Sequence, residues 1–127
     1  MGRIQPRPTD AELAILRVLW ERGASTVRQV HEALADTRET GYTTTLKLMQ
    51  IMADKGLVRR NETERTHVYS AVAGEAQTQT QLVKDLVDRA FGGSAATLVM
   101  RALSADDTSE SDLKQIRKLI DDYREKR

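Results

Sequence analysis

The most chemically suggestive side chains in the sequence sit on one predicted helix. Thr43, Lys47, Gln50 and Asp54 recur around a face opposite an apolar set, and Thr44 flanks them at the N-terminal turn. Apart from Asp54 near the end, that face offers hydroxyl, ammonium and amide groups, which can donate to phosphates and to base edges. The free backbone NH groups and the dipole at the start of such a helix also favour a phosphate. Farther along, Arg59, Arg60, Arg65 and His67 flank a polar turn and bring positive or protonatable groups to where a hairpin would meet a sugar-phosphate backbone. Each feature has a plainer reading. Most polar helix faces are simply solvated, and Arg59, Arg60 and Arg65 could equally pair with Glu62 and Glu64 in a charged turn, where exposed pairs contribute little.

Other chemistry finds less support. His31 lies on the apolar face of a predicted helix and reads as a core histidine, while His67 stands alone in the hairpin; with no cysteine, the two match no metal-ligand spacing. The chain carries no nucleophile elbow, phosphate loop or paired-carboxylate motif, so no enzyme activity and no cofactor are expected. Asp106, Asp107, Glu110 and Asp112 have the composition of a cation site, but acidic residues at the start of a helix are already favoured by its dipole. Trp20 and the Met49–Met52 pair read as core. No metal partner is expected.

The elements that must position these residues fit into 127 residues, enough for one compact domain or a minimal domain with an appendage. Lys and Arg number 20 against 19 Asp and Glu, so the net field argues neither for nucleic acid nor for a membrane. The halves barely differ: residues 1–71 hold 11 basic and 9 acidic side chains, residues 72–127 hold 9 and 10. The absence of cysteine fits a reducing cytosol. Met1–Pro8 has no apolar core and reads as neither signal peptide nor membrane anchor. No apolar run approaches the roughly 20 residues that span a bilayer, and a cytoplasmic protein with no membrane partner is expected.

Thr9-Asp10-Ala11-Glu12 has capping-box spacing and predicts a helix start. The apolar face of Leu13, Leu16, Leu19 and Trp20, flanked by Ile15 and Val18, runs to Gly23, which can supply a left-handed stop. A second helix begins with Ser25 or Thr26 as cap and carries Val27, Val30, His31 and Leu34 at helical spacing. In the third, Thr45, Leu48, Met49 and Met52 fall at i, i+3, i+4 and i+7, and Lys55-Gly56 closes it. Leu57–Arg60 and Arg65–Ser70 around a polar turn read as a β-hairpin. Three helices followed by a hairpin is the order of a winged helix-turn-helix domain, expected over residues 7–72.

From Ala73 onwards only helical patterns remain. Val83, Leu86, Val87 and Ala90 form a stripe broken at Phe91-Gly92-Gly93; Leu98, Val99, Ala102 and Leu103 form another; Leu113, Ile116, Ile120 and Tyr123 mark a helix from about Ser111. Short amphipathic helices are marginal alone, so residues 73–127 are expected to form a helical dimerisation segment, with these stripes buried against a second copy. The fold class expected is mainly α with a small β-hairpin.

The segments Ala11–Trp20, Tyr42–Val58 and Arg65–Tyr69, in this order and with this helical tail, resemble the penicillinase and methicillin-resistance repressors, the BlaI/MecI family. The most specific pieces are Glu12–Trp20 (ELAILRVLW), Tyr42–Leu46 (YTTTL), Lys55–Arg60 (KGLVRR) and His67–Tyr69 (HVY). The resemblance implies a homodimeric repressor whose third helix enters the major groove and whose C-terminal helices intertwine. It carries recognition-helix contacts over to Thr43, Thr44 and Lys47; Leu46 departs, being apolar where relatives can have a basic residue. Well-known members are cut at an Asn-Phe bond in the dimerisation region, where this chain has Arg101-Ala102, so antibiotic sensing by a membrane protease is not implied. The copper-responsive branch uses a cysteine cluster that this chain lacks.

The function expected is a sequence-specific DNA-binding transcriptional regulator, a repressor acting as a homodimer on an inverted-repeat operator. Thr43, Thr44, Lys47 and Gln50 would work in the groove, and Arg59, Arg60, Arg65 and His67 at the backbone. The alternative is a winged-helix protein-interaction module that oligomerises through its tail. Salt dependence separates the two, because displaced counterions make DNA binding fall steeply with salt.

Overall fold

The computed structural model describes residues 7–127, so most of the Met1–Pro8 reading lies outside the described residues. Helix α1 (Asp10–Arg22) starts as the capping-box spacing predicts: the Glu12 NH donates to Thr9 Oγ1 at 3.2 Å and the Thr9 NH donates to Glu12 Oε1 at 2.9 Å. At its end the NH of Gly23, at φ +87°, donates to the Leu19 carbonyl at 2.8 Å.

The chain then makes a strand that periodicity did not reveal, β1 (Ser25–Thr26). Two residues are too few for an alternation to register. Ser25 therefore belongs to a sheet rather than to a helix cap, with its hydroxyl donating to the Gly23 carbonyl at 2.9 Å. Thr26 caps α2 (Val27–Leu34) through a second capping box, in which Thr26 Oγ1 accepts from the Gln29 NH at 3.1 Å and Gln29 Oε1 accepts from the Thr26 NH at 2.9 Å. Helix α2 stops at Leu34.

Helix α3 (Tyr42–Lys55) ends in a Schellman turn. The NH of Gly56 donates to the Ala53 carbonyl at 3.1 Å and that of Leu57 to the Met52 carbonyl at 2.9 Å. The turn requires the left-handed backbone of Gly56, at φ +83°. It sends Leu57 directly into the core and opens β2 (Val58–Asn61), which pairs with β3 (Val68–Ala71). The sheet is antiparallel with order β1-β3-β2, and central Tyr69 faces Ser25 on one side and Arg60 on the other. The fold is thus mainly helical with a small three-stranded sheet, one strand more than the expected hairpin.

Ile15, Leu16 and Leu19 from α1, Val27, Val30 and Leu34 from α2, and Met49 and Met52 from α3 close over Leu57, Val58 and Tyr69 in one cluster. Burying a side chain of this size contributes about 1.5–3 kcal/mol relative to leaving it in water. One buried acid, Glu12, joins the ends of two helices. Lys55 Nζ lies 2.9 and 3.1 Å from its carboxylate oxygens, linking the first turn of α1 to the last residue of α3. Each charge also suits the helix end that carries it. Burial alone would push the Glu12 carboxyl up, but hydrogen bonds from the Thr9 NH and from Lys55, together with the Lys55 charge, hold it below its ordinary value. Trp20 Nε1 donates to the Ala73 carbonyl at 3.0 Å and pins the chain that leaves β3.

The chain divides into two compact units between Leu82 and Val83, inside α4 (Glu75–Ala90). In the second unit the Phe91 and Gly93 NH groups both donate to the Val87 carbonyl, at 3.1 and 3.0 Å, ending α4 where the Gly-Gly pair predicts. Ser94 caps α5 (Ala95–Ala105) by accepting from the Thr97 NH, and Ser109 caps α6 (Glu110–Glu125) by accepting from the Asp112 NH. Glu110 and Asp112 stand in the first turn of α6, where its dipole favours them. Among the described residues, no helix is long and apolar enough to cross a membrane.

Candidate nucleic-acid interface

Helix α3 is held by one side and free on the other. Thr45, Met49 and Met52 are buried, with the Thr45 hydroxyl donating to the Gly41 carbonyl at 3.4 Å, while Leu48 is half-buried against the same core. Thr43, Thr44, Lys47 and Gln50 are all exposed, as the periodicity requires. The helix begins at Gly41 without a side-chain cap, leaving its first-turn NH groups to solvent or to an anion. Leu46 is half-buried and packs on the core, at the edge of the outer face.

The wing is the β2–β3 connection. Arg59 and Arg60 lie on β2, opposite Ser70 and Tyr69, and both are exposed. Arg65, Thr66 and His67 fall in the loop before β3 rather than on a strand, and are also exposed. Asn61 Oδ1 shapes the turn by accepting from the Thr63 NH at 2.9 Å and the Thr63 hydroxyl at 2.8 Å. One of the wing cations is engaged: Arg60 Nε lies 2.7 Å from Glu62 Oε1. A hydrogen bond to Tyr69 and the Glu62 charge both raise the Arg60 pKa, holding its guanidinium still more firmly protonated. Among the described residues, Arg59 and Arg65 make no ion pair. The charged-turn reading therefore describes Arg60 alone of the three arginines.

Between the start of α2, the outer edge of α3 and the wing runs an open groove of about 540 Å³. It brings Gln50 together with Arg60, Arg65 and His67, and adds two residues that sequence reasoning passed over, Arg28 and Tyr42. The Arg28 guanidinium carbon sits 5.6 Å from the centroid of the Tyr42 ring. The signal for Arg28 was its place in the first turn of the second helix; for Tyr42 it was its place at the first residue of the third. Neither position says that the two side chains meet.

The stripes assigned to dimerisation behave differently. Val83, Leu86, Val99, Leu103, Leu113, Ile120 and Tyr123 are exposed large hydrophobic residues, joined by Met100 and Leu119, which the stripes omitted. Ala102 is exposed too, and Leu98 and Ile116 are half-buried. Val87 departs from the expectation: it is 7% exposed, already covered within the chain, so it has little surface left for a partner.

The chain matches the penicillinase repressor family over residues 8–122. It is 39% identical over 93 residues to the transcriptional regulator BlaI of Mycobacterium tuberculosis, covering 71% of this chain and 67% of that protein. With the penicillinase repressor of Bacillus licheniformis it shares 19% identity over 122 residues, 96% of this chain and 95% of the relative. Two solution structures are similar at 23% identity and a TM-score of 0.51. One is the DNA-binding domain of the repressor BlaI, matched over 59% of this chain and 92% of that one. The other is monomeric Bacillus licheniformis BlaI in complex with the blaP half-operator, matched over 57% and 89%. A family match spanning nearly the whole chain, on a winged fold shared with those structures, establishes that this chain belongs to the penicillinase repressor family.

Proposed function

We propose that the protein is a cytoplasmic, sequence-specific DNA-binding repressor that acts as a homodimer on an inverted-repeat operator and blocks access to a promoter. The observation that carries this reading is the division of α3: one face is locked by Thr45, Met49 and Met52, and the other presents Thr43, Thr44, Lys47 and Gln50 beside a cation-rich wing. A helix fixed in this way can offer donors to the major groove at a set depth. Thr43, Thr44 and Lys47 read or position, Gln50 reaches a base or phosphate, and Arg59, Arg65 and His67 clamp backbone. Arg60 joins them only by exchanging its Glu62 partner for a phosphate. The relative solved with a half-operator supports the same use of the shared fold.

DNA binding belongs to residues 7–72 and pairing to residues 73–127, where the exposed stripes of α4, α5 and α6 give two copies an apolar surface to share. Two recognition helices then sit about 34 Å apart, one turn of DNA, or a multiple of it. The test is a fluorescence-anisotropy titration against duplex DNA from the region upstream of the protein's own reading frame and against a scrambled duplex, at two salt concentrations. Tight, sequence-dependent binding that weakens with salt is expected. A Thr44→Ala, Lys47→Ala double variant should lose about 1–3 kcal/mol for each base contact removed. Binding to neither duplex would rule the reading out.

A further inference from the structure

We infer that the groove between α2, α3 and the wing seats the sugar-phosphate backbone of one DNA strand, and that Arg28, held over Tyr42, is a positioning contact within it. The inference deepens the DNA-binding reading and rests on it. The groove is bordered by Arg28, Arg65 and His67, its walls include Val27 and Leu46, and no carboxylate lines it. Among the described residues no acid pairs with Arg28. A cleft of this charge is complementary to a polyanion, and its open form suits a strand passing through rather than a small molecule enclosed. It is also continuous with the outer face of α3, because Gln50 belongs to both.

Arg28 is prepared for the task. Its guanidinium carbon lies over the Tyr42 ring, 5.6 Å from the centroid, and the His31 ring also meets Tyr42, edge-on at 5.8 Å and 84°. A cation–π contact of this kind uses none of the guanidinium N–H groups as hydrogen-bond donors, so they can still donate to a phosphate. Less side-chain freedom is then lost on binding than for an unsupported arginine.

The experiment uses the full chain and the same two duplexes, with anisotropy titrations across a potassium chloride series and thermal melting of each variant as a folding control. Arg28→Ala should make the slope of log affinity against log salt shallower by about 1 on both duplexes, leaving the ratio between them unchanged. Arg28→Lys should restore the slope, and Tyr42→Leu should weaken both duplexes several-fold while keeping it. If alanine disturbs folding, Arg28→Gln keeps a polar aliphatic stem without the charge and should show the same loss of slope. Wild-type slope and affinity in the folded Arg28→Ala or Arg28→Gln variant, with sequence discrimination still lost in the Thr44→Ala, Lys47→Ala variant, would overturn the seat and leave DNA binding intact. A poly-aspartate peptide that binds as tightly as the duplexes, and is lost equally in Arg28→Ala, would overturn it in favour of an acidic protein partner. Failure of the wild type to bind either duplex would overturn both readings.

Discussion

The two units of this chain use the same kind of amphipathic helix to different ends. In the winged unit the apolar stripes of α1, α2 and α3 converge, with the sheet, on one cluster of eleven buried residues. In the second unit α5 and α6 bury no residue, and Val87 is the buried hydrophobic position among the described residues there. The difference teaches where each unit keeps its stability. The first closes its own core, so its folding is expected to be independent of concentration; the second offers its apolar surface outward, so its folding is expected to be coupled to association.

Core truncation should separate the units most sharply. Met49→Ala should cost about 2–5 kcal/mol, since the side chain is fully buried, and the loss in chemical denaturation should not change with protein concentration. Ile120→Ala, on an exposed stripe, should cost about 1–3 kcal/mol only where the protein is dimeric. Sedimentation equilibrium should show weaker association, and the melting temperature should become more dependent on concentration. An Ile120→Ala variant that melts and sediments as the wild type would break the comparison.

The half-buried Glu12–Lys55 ion pair sharpens the comparison from within the winged unit. Glu12→Gln should cost about 1–3 kcal/mol, because Lys55 loses its charged partner while keeping partial access to water. The Glu12 pKa is lowered on folding, so its contribution is fully present above the ordinary glutamate value of about 4.3 and is lost as pH falls through the lower folded value. Acid titration of stability should therefore fall less steeply in Glu12→Gln than in the wild type below about pH 4. The smallest effect belongs to the clamp on the chain leaving the sheet. Trp20→Phe removes the donor to the Ala73 carbonyl and should cost about 0.5–1.5 kcal/mol by denaturation.

Particular residues show how far the chain could be read in advance. Thr9 with Glu12 is a local signature, and the capping box forms as spelled. The 3.6-residue period of α3 was strong enough to divide Thr45, Met49 and Met52 from Thr43, Thr44, Lys47 and Gln50, and the exposures follow that division. Strand β1 escaped because two residues have no period; only pairing with β3 makes Ser25–Thr26 a strand. The groove was half legible: its wing cations were named from the hairpin, while Arg28 and Tyr42 were not, since they come from different helices and meet only when α2 packs beside α3.

By itself the sequence determined the elements whose causes are local: caps set by side chains three residues apart, helix faces set by repeated apolar spacing, and a stop at Gly56 set by the freedom of glycine in the left-handed region. Only the tertiary structure decided which of those elements share partners. It joined Glu12 to Lys55 across 43 positions, engaged Arg60 with Glu62 and Tyr69, set Tyr69 at the centre of a three-stranded sheet, and withdrew Val87 from the exposed stripe. The physical reason is that hydrogen bonds and burial between residues far apart in sequence depend on the packing of whole elements, whereas propensity and periodicity act over a few turns.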